Sequence, residues 1–218
     1  MASYPIPGLS LPPGKGELLL DVGCGWESWS IAAGRKGYNP VSVDPSLGWV
    51  LTARRVAAQL GLPGRFVVGD ARYLPFSTGL FDVAFSFGVL QHFSKTNAKL
   101  ALGEVARVLK GGGTGLVQFV NRWGMRSPQH QIRRGFREDW DFDIRYWTVP
   151  ELRRTFFKRI ESSSVTVDGF FGLGLQPGDR KLLPRRYRII VNCSEALRKL
   201  SKKLRCMSYL ADSVYIKS

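Results

Sequence analysis

The chain has 218 residues, 44% of them hydrophobic and 22% charged, which is enough to bury the core of a sizeable domain without disulfides or metal ions. Its three cysteines form no CxxC pair, and no apolar run approaches the roughly 20 residues of a membrane span. A disulfide framework and a membrane span are therefore not expected, whereas the net charge of +15 fits an anionic partner, a membrane surface or simple solubility.

The N-terminal stretch MASYPIPGLSLPPGKG is rich in proline and lacks both a charged leader and a long apolar segment. It predicts an extended arm over residues 1–16 rather than a signal peptide. We therefore expect a cytoplasmic protein, either free or peripheral to a membrane.

Short apolar segments alternate with helical patterns over the first 120 residues. Strands are predicted at residues 17–22, 40–44, 65–70, 80–90 and 113–120. Helices are predicted from the first glycine turn to about residue 36, over 47–60, and over 97–110 with a stop at the glycine run that begins at Gly111. This alternation predicts an α/β fold, a Rossmann-like, doubly wound parallel sheet with helices on both faces.

The second half of the chain adds a helix and two strands. Thr148 and Glu151 form a capping-box pattern, which predicts a helix through about Phe157. Alternating apolar residues then predict strands over 161–169 and 212–218.

The turn after the first strand, DVGCGWES, has the features of a cofactor-binding turn. Gly23 and Gly25 permit close approach of a ligand to the backbone, and Asp44 ends the second strand, where a carboxylate can bind ribose hydroxyls. The same glycines would also suit an α/β fold that binds no cofactor. Glu27 would repel the pyrophosphate of a dinucleotide but not the cationic sulfonium and ammonium groups of S-adenosylmethionine.

The chain contains five motifs in register: LLLDVGCG, VSVD, VVGDARYLPF, FDVAFSFGVLQHF and EVARVLKGGGTGLVQF. In these motifs it resembles the class I S-adenosylmethionine-dependent methyltransferases, specifically the UbiE-like, type 11 methyltransferase domains. The resemblance covers about residues 15–120. It implies S-adenosylmethionine as the cofactor and a seven-stranded, mostly parallel sheet whose last strand, about 212–217, is inserted antiparallel.

The resemblance also implies contacts to each part of the cofactor. By this resemblance the residues at the methionyl part are Asp21, Gly23 and Gly25, with Ser86, Phe87 and Gly88 beside the methionine tail. The residues at the adenosine are Asp44 on the ribose, Asp70 on the adenine amino group, and the backbone of Ala71 near the ring.

Glu27 departs from the family pattern, in which a glycine commonly stands at this position. Its side chain would either crowd the cofactor and weaken binding or point outward from the helix. If it abolished binding, the chain would be a non-catalytic interaction domain with a methyltransferase-like fold, which we keep as an alternative.

Methyl transfer from a sulfonium is a direct displacement, so the protein supplies orientation and desolvation rather than a covalent residue. A hydroxyl or acidic-carbon acceptor benefits from a base, and His92 is the best-placed titratable group, although it could instead cap the next helix or line the pocket.

The segment SFGVL stands where many enzymes that methylate nucleobase amino groups carry an Asn/Asp-Pro-Pro-aromatic tetrapeptide. This favours O or C of a small-molecule or lipid-linked acceptor, with RNA as the rival substrate because of the positive charge.

Two long segments, 121–147 and 170–211, follow the fifth and sixth strands, at the end of an α/β sheet where ligands bind. We interpret them as insertions that shape a substrate pocket within a single domain of residues 1–218. The first mixes six arginines with six aromatic residues, which suits phosphate or planar ligands. It equally suits a lid whose arginines are neutralised by neighbouring acids, which are Glu138, Asp139, Asp141 and Asp143.

The second insertion contains a predicted basic amphipathic helix within residues 194–211. Its apolar face consists of Leu197, Leu200, Leu204 and Met207, and most of the remainder is basic. Such a helix could rest on an anionic membrane surface or a phosphate-bearing substrate, or pack its leucine face on the core and leave a solvated basic face.

Overall fold

The structure is a computed structural model that describes residues 6–26, 28–62, 64–137, 144–157, 164–172, 180 and 183–218. The strands within these residues are β1 Leu18–Val22, β2 Asn39–Asp44, β3 Arg65–Val68, β4 Phe81–Ser86, β5 Leu109–Val120, β6 Ser164–Gly169 and β7 Ser213–Lys217. The α-helices within them are α1 Ser28–Arg35, α2 Leu47–Gln59, α3 Lys95–Val108, α4 Ser127–Arg133, α5 Val149–Phe157 and α6 Arg185–Ser201. None of these helices has the length and apolar character needed to cross a membrane.

The strands form a seven-stranded sheet in the order β3-β2-β1-β4-β5-β7-β6. β1 pairs in parallel with β2 and with β4, and β2 pairs in parallel with β3. β7 is antiparallel to both of its neighbours, β5 and β6. The predicted Rossmann-like sheet with an antiparallel last strand is therefore confirmed.

Contacts divide the chain into two compact units, residues 1–86 with 100–115 and residues 87–99 with 116–218. In the first unit, β1, β2 and β4 are largely buried, and α1 packs on β2 with Ile31 in the core. In the second unit, the ring of Phe119 lies 5.4 Å from that of Trp147 and 6.3 Å from that of Phe156. These three buried rings form the centre of that unit's core.

Two predicted boundaries near the middle of the chain are wrong. The predicted strand 80–90 ends at Ser86, because Gly88 has a φ of 71°, which an extended strand does not adopt. The predicted glycine stop of the third helix is also wrong, since α3 ends at Val108 and the glycines lie inside β5. A Cβ on Gly113 would lie 3.1 Å from the carbonyl oxygen of Asp82 in β4, so the missing side chain is what permits this close approach.

The first insertion contains a short helix, α4, that the sequence pattern did not predict. Its start is held by Asp212, whose Oδ1 accepts hydrogen bonds from the backbone N–H groups of Arg126 and Ser127 at 2.7 and 3.1 Å. The acid stands far along the chain from the helix that it caps, so local spacing gives no sign of it.

The predicted helix within 194–211 is wrong in its bounds. α6 runs from Arg185 to Ser201, and a separate 3-10 turn covers Arg205–Tyr209. Leu204 separates them, with a non-helical φ of −110° and ψ of 86°. Leu200 and Leu204 are 44% and 48% exposed, whereas Val191 and Ser201 are buried. Of the predicted apolar face, Leu200 and Leu204 are therefore exposed, whereas Leu197 and Met207 are half-buried.

Candidate cofactor-binding site

The turn between β1 and α1 is fixed by the neighbouring strand. Gly23 and Gly25 have φ values of 77° and 50°, in the left-handed region that favours glycine. The backbone N–H groups of Gly23 and Cys24 donate to the carbonyl of Val43 in β2, at 2.7 and 3.2 Å. No atom of the described residues outside its chain neighbours lies within 4 Å of a Cβ built on Gly25, so one side of the turn is open.

Asp44 lies against this turn, as the sequence predicts. Its Oδ2 accepts a hydrogen bond from Gly25 N at 3.1 Å, and its Oδ1 accepts one from Ser46 N at 2.9 Å. Each carboxylate oxygen has a second lone pair, so a fixed Asp44 can still accept from ligand hydroxyl groups. An open glycine turn with an adjoining carboxylate fits a ribose.

Asp21 supports the turn from inside. Its carboxylate is buried and accepts a hydrogen bond of 2.7 Å from Ser30 Oγ, which also contacts Ser42 Oγ at 2.9 Å. Burial, opposed by hydrogen bonds from Ser30 and aided by the charge of Asp44, raises the pKa of Asp21 to about 6. Two carboxylates in one turn fit a cationic ligand such as S-adenosylmethionine better than a phosphate. Glu27 lies outside the described residues, so its predicted effect on the cofactor stays a prediction.

Asp70 and Ala71 follow β3, and Asp70 already has a partner. Arg72 donates to the Asp70 carboxylate from Nη2 at 2.6 Å and from its backbone N at 2.8 Å. These side-chain and backbone hydrogen bonds lower the pKa of Asp70, although partial burial opposes them. Sequence reasoning did not predict the pairing of Arg72 with Asp70, although a basic residue two positions after an acid is a local signal for an ion pair. An adenine amino group would have to share the carboxylate with Arg72, and the predicted adenine contacts of Asp70 and of buried Ala71 stay predictions.

Ser86 ends β4, and its side chain is buried. Its Oγ donates a hydrogen bond of 3.0 Å to the carbonyl oxygen of Val22, the last residue of β1. This bond joins the carboxyl ends of the two strands. The Ser86 hydroxyl therefore has a structural role. A contact of Ser86 with the methionine tail stays a prediction, and the backbone of Ser86 would have to make it.

Phe87 and Gly88 form the turn after β4, and two residues of the second unit hold it. Gly88 N donates a hydrogen bond of 2.9 Å to Gln118 Oε1 of β5, and the ring of Phe87 lies 6.2 Å from that of Tyr215 in β7. Both anchors lie in strands that follow much later in the sequence. The turn is thus held by one hydrogen bond and one ring contact, whereas its predicted contact with the methionine tail of the cofactor stays a prediction.

His92 ends the 3-10 turn Leu90–His92 and is partly exposed. Its carbonyl oxygen accepts a hydrogen bond of 2.7 Å from Arg145 Nη1, and its Nε2 lies 3.3 Å from Gln91 Nε2. Arg145 belongs to the first insertion, so this insertion fixes the backbone that carries the imidazole. The alternative in which His92 caps the next helix gains no support from these contacts, while its role as a base stays a prediction.

A buried polar network next to the Phe87–Gly88 turn was not predicted from the sequence. Gln118 Nε2 donates to Ser213 Oγ at 2.6 Å, and Ser213 Oγ donates to Asp168 Oδ2 at 2.8 Å. The side chain of Tyr215 is also hydrogen-bonded to Asp168. Burial of Tyr215, followed by the charge of Asp168, raises the pKa of Tyr215 well above the usual value. The available signal was Gln118 itself, a polar residue inside the apolar strand LVQFV.

The first insertion divides its aromatic residues between the core and the surface. Tyr146 and Trp147 are buried, whereas Trp123 and Phe136 are exposed. The acids predicted to neutralise the arginines, Glu138, Asp139, Asp141 and Asp143, lie outside the described residues. Both predicted roles of this insertion, ligand binding and a lid, therefore stay predictions.

Residues 19–113 match a family model described as a methyltransferase domain. The ubiquinone biosynthesis O-methyltransferase of Caulobacter vibrioides is 28% identical over 182 residues, which are 81% of this chain and 70% of that protein. The tRNA (carboxymethyluridine(34)-5-O)-methyltransferase of Schizosaccharomyces pombe is 33% identical over 141 residues, which are 62% of this chain and 53% of that protein. A solved S-adenosylmethionine-dependent methyltransferase from Thermotoga maritima superposes with a TM-score of 0.61 at 18% identity, covering 95% of this chain and 83% of that one.

Residues 19–113 thus match a methyltransferase domain, and the seven-stranded sheet has the fold of the class I S-adenosylmethionine-dependent methyltransferases. The predicted likeness to the UbiE-like methyltransferases, the predicted enzyme class and the predicted cofactor are confirmed. The chain spans only about half the length of the tRNA methyltransferase that it matches.

Proposed function

We propose that the protein transfers a methyl group from S-adenosylmethionine to an oxygen or carbon atom of a small-molecule or lipid-linked acceptor. The observation that carries the cofactor part is the contact of Asp44 with Gly25 N across an open glycine turn. The acceptor part is supported by the likeness to a ubiquinone biosynthesis O-methyltransferase over 81% of the chain. That likeness is longer than the matched domain of residues 19–113, so it includes part of the segment expected to meet the acceptor.

The residues of the first unit bind and orient the cofactor in this proposal. Asp44 accepts hydrogen bonds from the ribose hydroxyls, and Asp70 accepts one from the adenine amino group beside Arg72. Asp21 holds α1 through Ser30 and places negative charge near the cationic methionyl end. When bound, S-adenosylmethionine supplies an electrophilic methyl group on its sulfonium. Orientation and exclusion of water can then lower the barrier by up to about 7–11 kcal/mol without a covalent residue.

His92 is the proposed base for a hydroxyl acceptor. In the transfer, the methyl carbon forms a bond to the acceptor oxygen while its bond to sulfur breaks, and the hydroxyl proton moves to the neutral imidazole of His92. The contact of the His92 carbonyl with Arg145 supports this role, because it fixes the backbone that carries the ring. The Gln91 amide faces the Nε2 lone pair of His92 and would have to yield it to the acceptor proton.

Calorimetric titration of the purified chain with S-adenosylmethionine and its demethylated product tests the cofactor half, with NAD as the control. We expect micromolar binding, about −8 kcal/mol, to the first two and none to NAD. If neither binds, the Glu27→Gly variant distinguishes a site closed by Glu27 from a non-catalytic domain, because only the former regains binding.

Transfer of a labelled methyl group tests the acceptor half. The substrates are a panel of phenols and hydroxylated quinones with short and long isoprenoid tails, with bulk tRNA in parallel. Methylation of a phenolic hydroxyl is expected, and loss of transfer in His92→Ala with cofactor binding retained would support the base. Methylation of tRNA alone would overturn the small-molecule acceptor.

RNA is the second candidate acceptor, and two observations favour it. The chain carries a net charge of +15, and one relative named above is a tRNA methyltransferase. An RNA substrate predicts an affinity that falls steeply as salt rises, because phosphate contacts release counterions. A filter-binding salt series with tRNA separates the two acceptors, since a small-molecule enzyme binds RNA weakly at physiological salt.

A further inference from the structure

The outward side of α6 carries a line of apolar residues. Ile189, Cys193, Ala196 and Leu200 are all exposed and follow one another at intervals of four, three and four, which places them on one side of a helix. Ile189 is 64% exposed and Leu200 is 44% exposed. We call this set the outer apolar line.

The inward side of α6 combines apolar and polar residues, with Ile190 and Leu197 half-buried. Val191 and Ser201 are buried, Ser194 Oγ accepts a hydrogen bond of 2.9 Å from Phe170 N, and Arg198 pairs with Glu195 at 2.7 Å. α6 therefore has apolar residues on both its inward and its outward side, whereas an ordinary surface helix has one apolar side that packs on the core. The fold does not need the outer apolar line to hold α6, so that line is available for a partner.

Positive charge surrounds the outer apolar line. Glu195 is the only acid between residues 183 and 210, and Arg198 neutralises it. The exposed cations of this segment are Arg185, Arg186, Arg188, Lys199, Lys202, Lys203 and Arg205. Beyond the helix, Leu204, Tyr209 and Leu210 add further exposed apolar surface. We call α6 together with residues 202–210 the basic apolar surface.

We propose that the basic apolar surface docks on a lipid bilayer that contains anionic lipids. α6 would lie in the plane of the interface, with Ile189 and Leu200 among the upper acyl chains and the flanking arginines and lysines among the phosphate groups. Each basic residue near an anionic leaflet adds attraction, and aliphatic insertion holds the protein once salt has screened the charges.

Charge and side-chain chemistry select a bilayer over other occupants. A second copy of the chain would place the same cations opposite each other, which disfavours a symmetric contact through this surface. Single-stranded RNA would match the charge, but it prefers aromatic side chains on which bases stack, and the outer apolar line contains none; the exposed Tyr187 and Tyr209 lie off this line. The proposal goes beyond methyl transfer and does not depend on it, because lipid binding needs neither cofactor nor acceptor.

Vesicle flotation of the intact chain tests the proposal. The vesicles are phosphatidylcholine alone or phosphatidylcholine with a quarter of phosphatidylglycerol. We expect at least tenfold more bound protein on the anionic vesicles. Ile189→Ser/Leu200→Ser and Lys199→Glu/Lys203→Glu are each expected to weaken this binding at least tenfold, and all four residues are exposed, so the fold should tolerate the changes.

Matched changes elsewhere on the surface serve as controls. Ile132 and Leu51 are 64% and 43% exposed, almost the same as Ile189 and Leu200, so Ile132→Ser/Leu51→Ser removes an equal amount of exposed apolar surface. Arg54→Glu/Lys99→Glu reverses two exposed charges on α2 and α3. If these controls lose binding as much as the α6 variants do, the attraction is diffuse and the proposal is overturned.

A fluorophore on Cys193 separates insertion from surface adsorption. Cys193 is exposed on the outer apolar line, Cys206 is exposed outside the helix, and Cys24 is buried. In a Cys206→Ser background, an environment-sensitive dye on Cys193 should shift to shorter wavelength with anionic vesicles and remain unshifted with neutral ones. No shift despite binding, or a concentration-dependent dimer that Ile189→Ser abolishes, would overturn bilayer docking.

Discussion

Gln118 Oε1 accepts a hydrogen bond of 2.9 Å from the backbone N–H of Gly88. The bond connects β5 to the turn that follows β4, thirty residues earlier in the chain. The amide of Gln118 also donates to Ser213, so one buried side chain ties the turn to β7. Gln118 is thereby a positioning residue for the segment expected beside the methionine tail.

Replacement of Gln118 by leucine should damage both stability and turnover. The change leaves Gly88 N–H without its acceptor and removes one of the two hydrogen bonds of Ser213 Oγ, which costs about 1–3 kcal/mol of unfolding free energy. Because the turn is no longer fixed, kcat of methyl transfer should fall further than the loss of folded protein explains. Urea denaturation and steady-state kinetics measure the two effects.

Ser213→Ala is the matched comparison for Gln118→Leu. It removes the far end of the same network but leaves the bond between Gln118 and Gly88 intact. We expect a similar loss of stability and a smaller change in kcat. Equal kcat values for the two variants would show that the turn does not depend on Gln118.

Local patterns account for the parts of the structure that the sequence predicted well. The capping box of α5 is present, with Thr148 N donating to Glu151 Oε2 at 3.4 Å and Glu151 N donating to Thr148 Oγ1 at 3.3 Å. The approach of Asp44 to Gly25 was predictable because adjacent parallel strands end at the same edge of a sheet.

Contacts between distant parts of the chain account for most of what the sequence did not predict. The partner of Gln118 and the cap of α4 by Asp212 depend on packing of residues far apart in sequence. Periodicity along α6 revealed an apolar face through Leu197 and Leu200, but it could not say which side meets β6. In the structure the buried positions are Val191 and Ser201, Leu197 is half-buried, and Ser194 accepts a hydrogen bond from Phe170 N.

Asp44→Asn and Asp44→Ala test the assigned ribose contact. Asparagine keeps one oxygen acceptor, so its affinity for S-adenosylmethionine should fall less than that of alanine, for which we expect a loss of about 1–3 kcal/mol. Calorimetric titration gives both values, and circular dichroism checks the fold. Glu17→Gln, which removes an acid before the opposite end of β1, is the control and should bind normally. Unchanged affinity in Asp44→Ala would mean that the ribose lies elsewhere.

Asp21 should make the protein less stable as pH rises through the range in which it ionises. Burial raises the pKa of Asp21 from an ordinary value of 3.8 to about 6, so between these values the folded chain binds more protons than the unfolded chain. Its free energy of unfolding therefore falls from about pH 4 to pH 6 and levels off above the folded pKa. At about 1.36 kcal/mol per pKa unit, the total is about 3 kcal/mol.

Asp21→Asn isolates this contribution from the other carboxylates. The amide stays neutral, so the variant should gain stability relative to the parent by up to about 3 kcal/mol between about pH 4 and pH 7. Urea denaturation of both proteins over this range measures the difference. A difference that does not change with pH would show that Asp21 ionises normally in the folded chain.

Gly124→Ala should destabilise the second unit through Asp212. A Cβ on Gly124 would overlap Asp212 Cα and lie 2.6 Å from Asp212 Oδ1. That carboxylate binds the backbone N–H groups of Arg126, Ser127 and Phe171, so its displacement weakens three hydrogen bonds of a buried group. We expect the free energy of unfolding to fall by about 1–3 kcal/mol, measured by urea denaturation.

Gly34→Ala is the control with the opposite expected sign. Gly34 lies in α1, and within the described residues a Cβ there meets no heavy atom within 4 Å beyond its own helix backbone and chain neighbours. Alanine is the better helix former by about 1 kcal/mol, so this variant should match or exceed the parent in stability. If Gly124→Ala were as stable as Gly34→Ala, the backbone at Asp212 would have to yield without losing its hydrogen bonds, and Asp212 would not be the fixed anchor of α4.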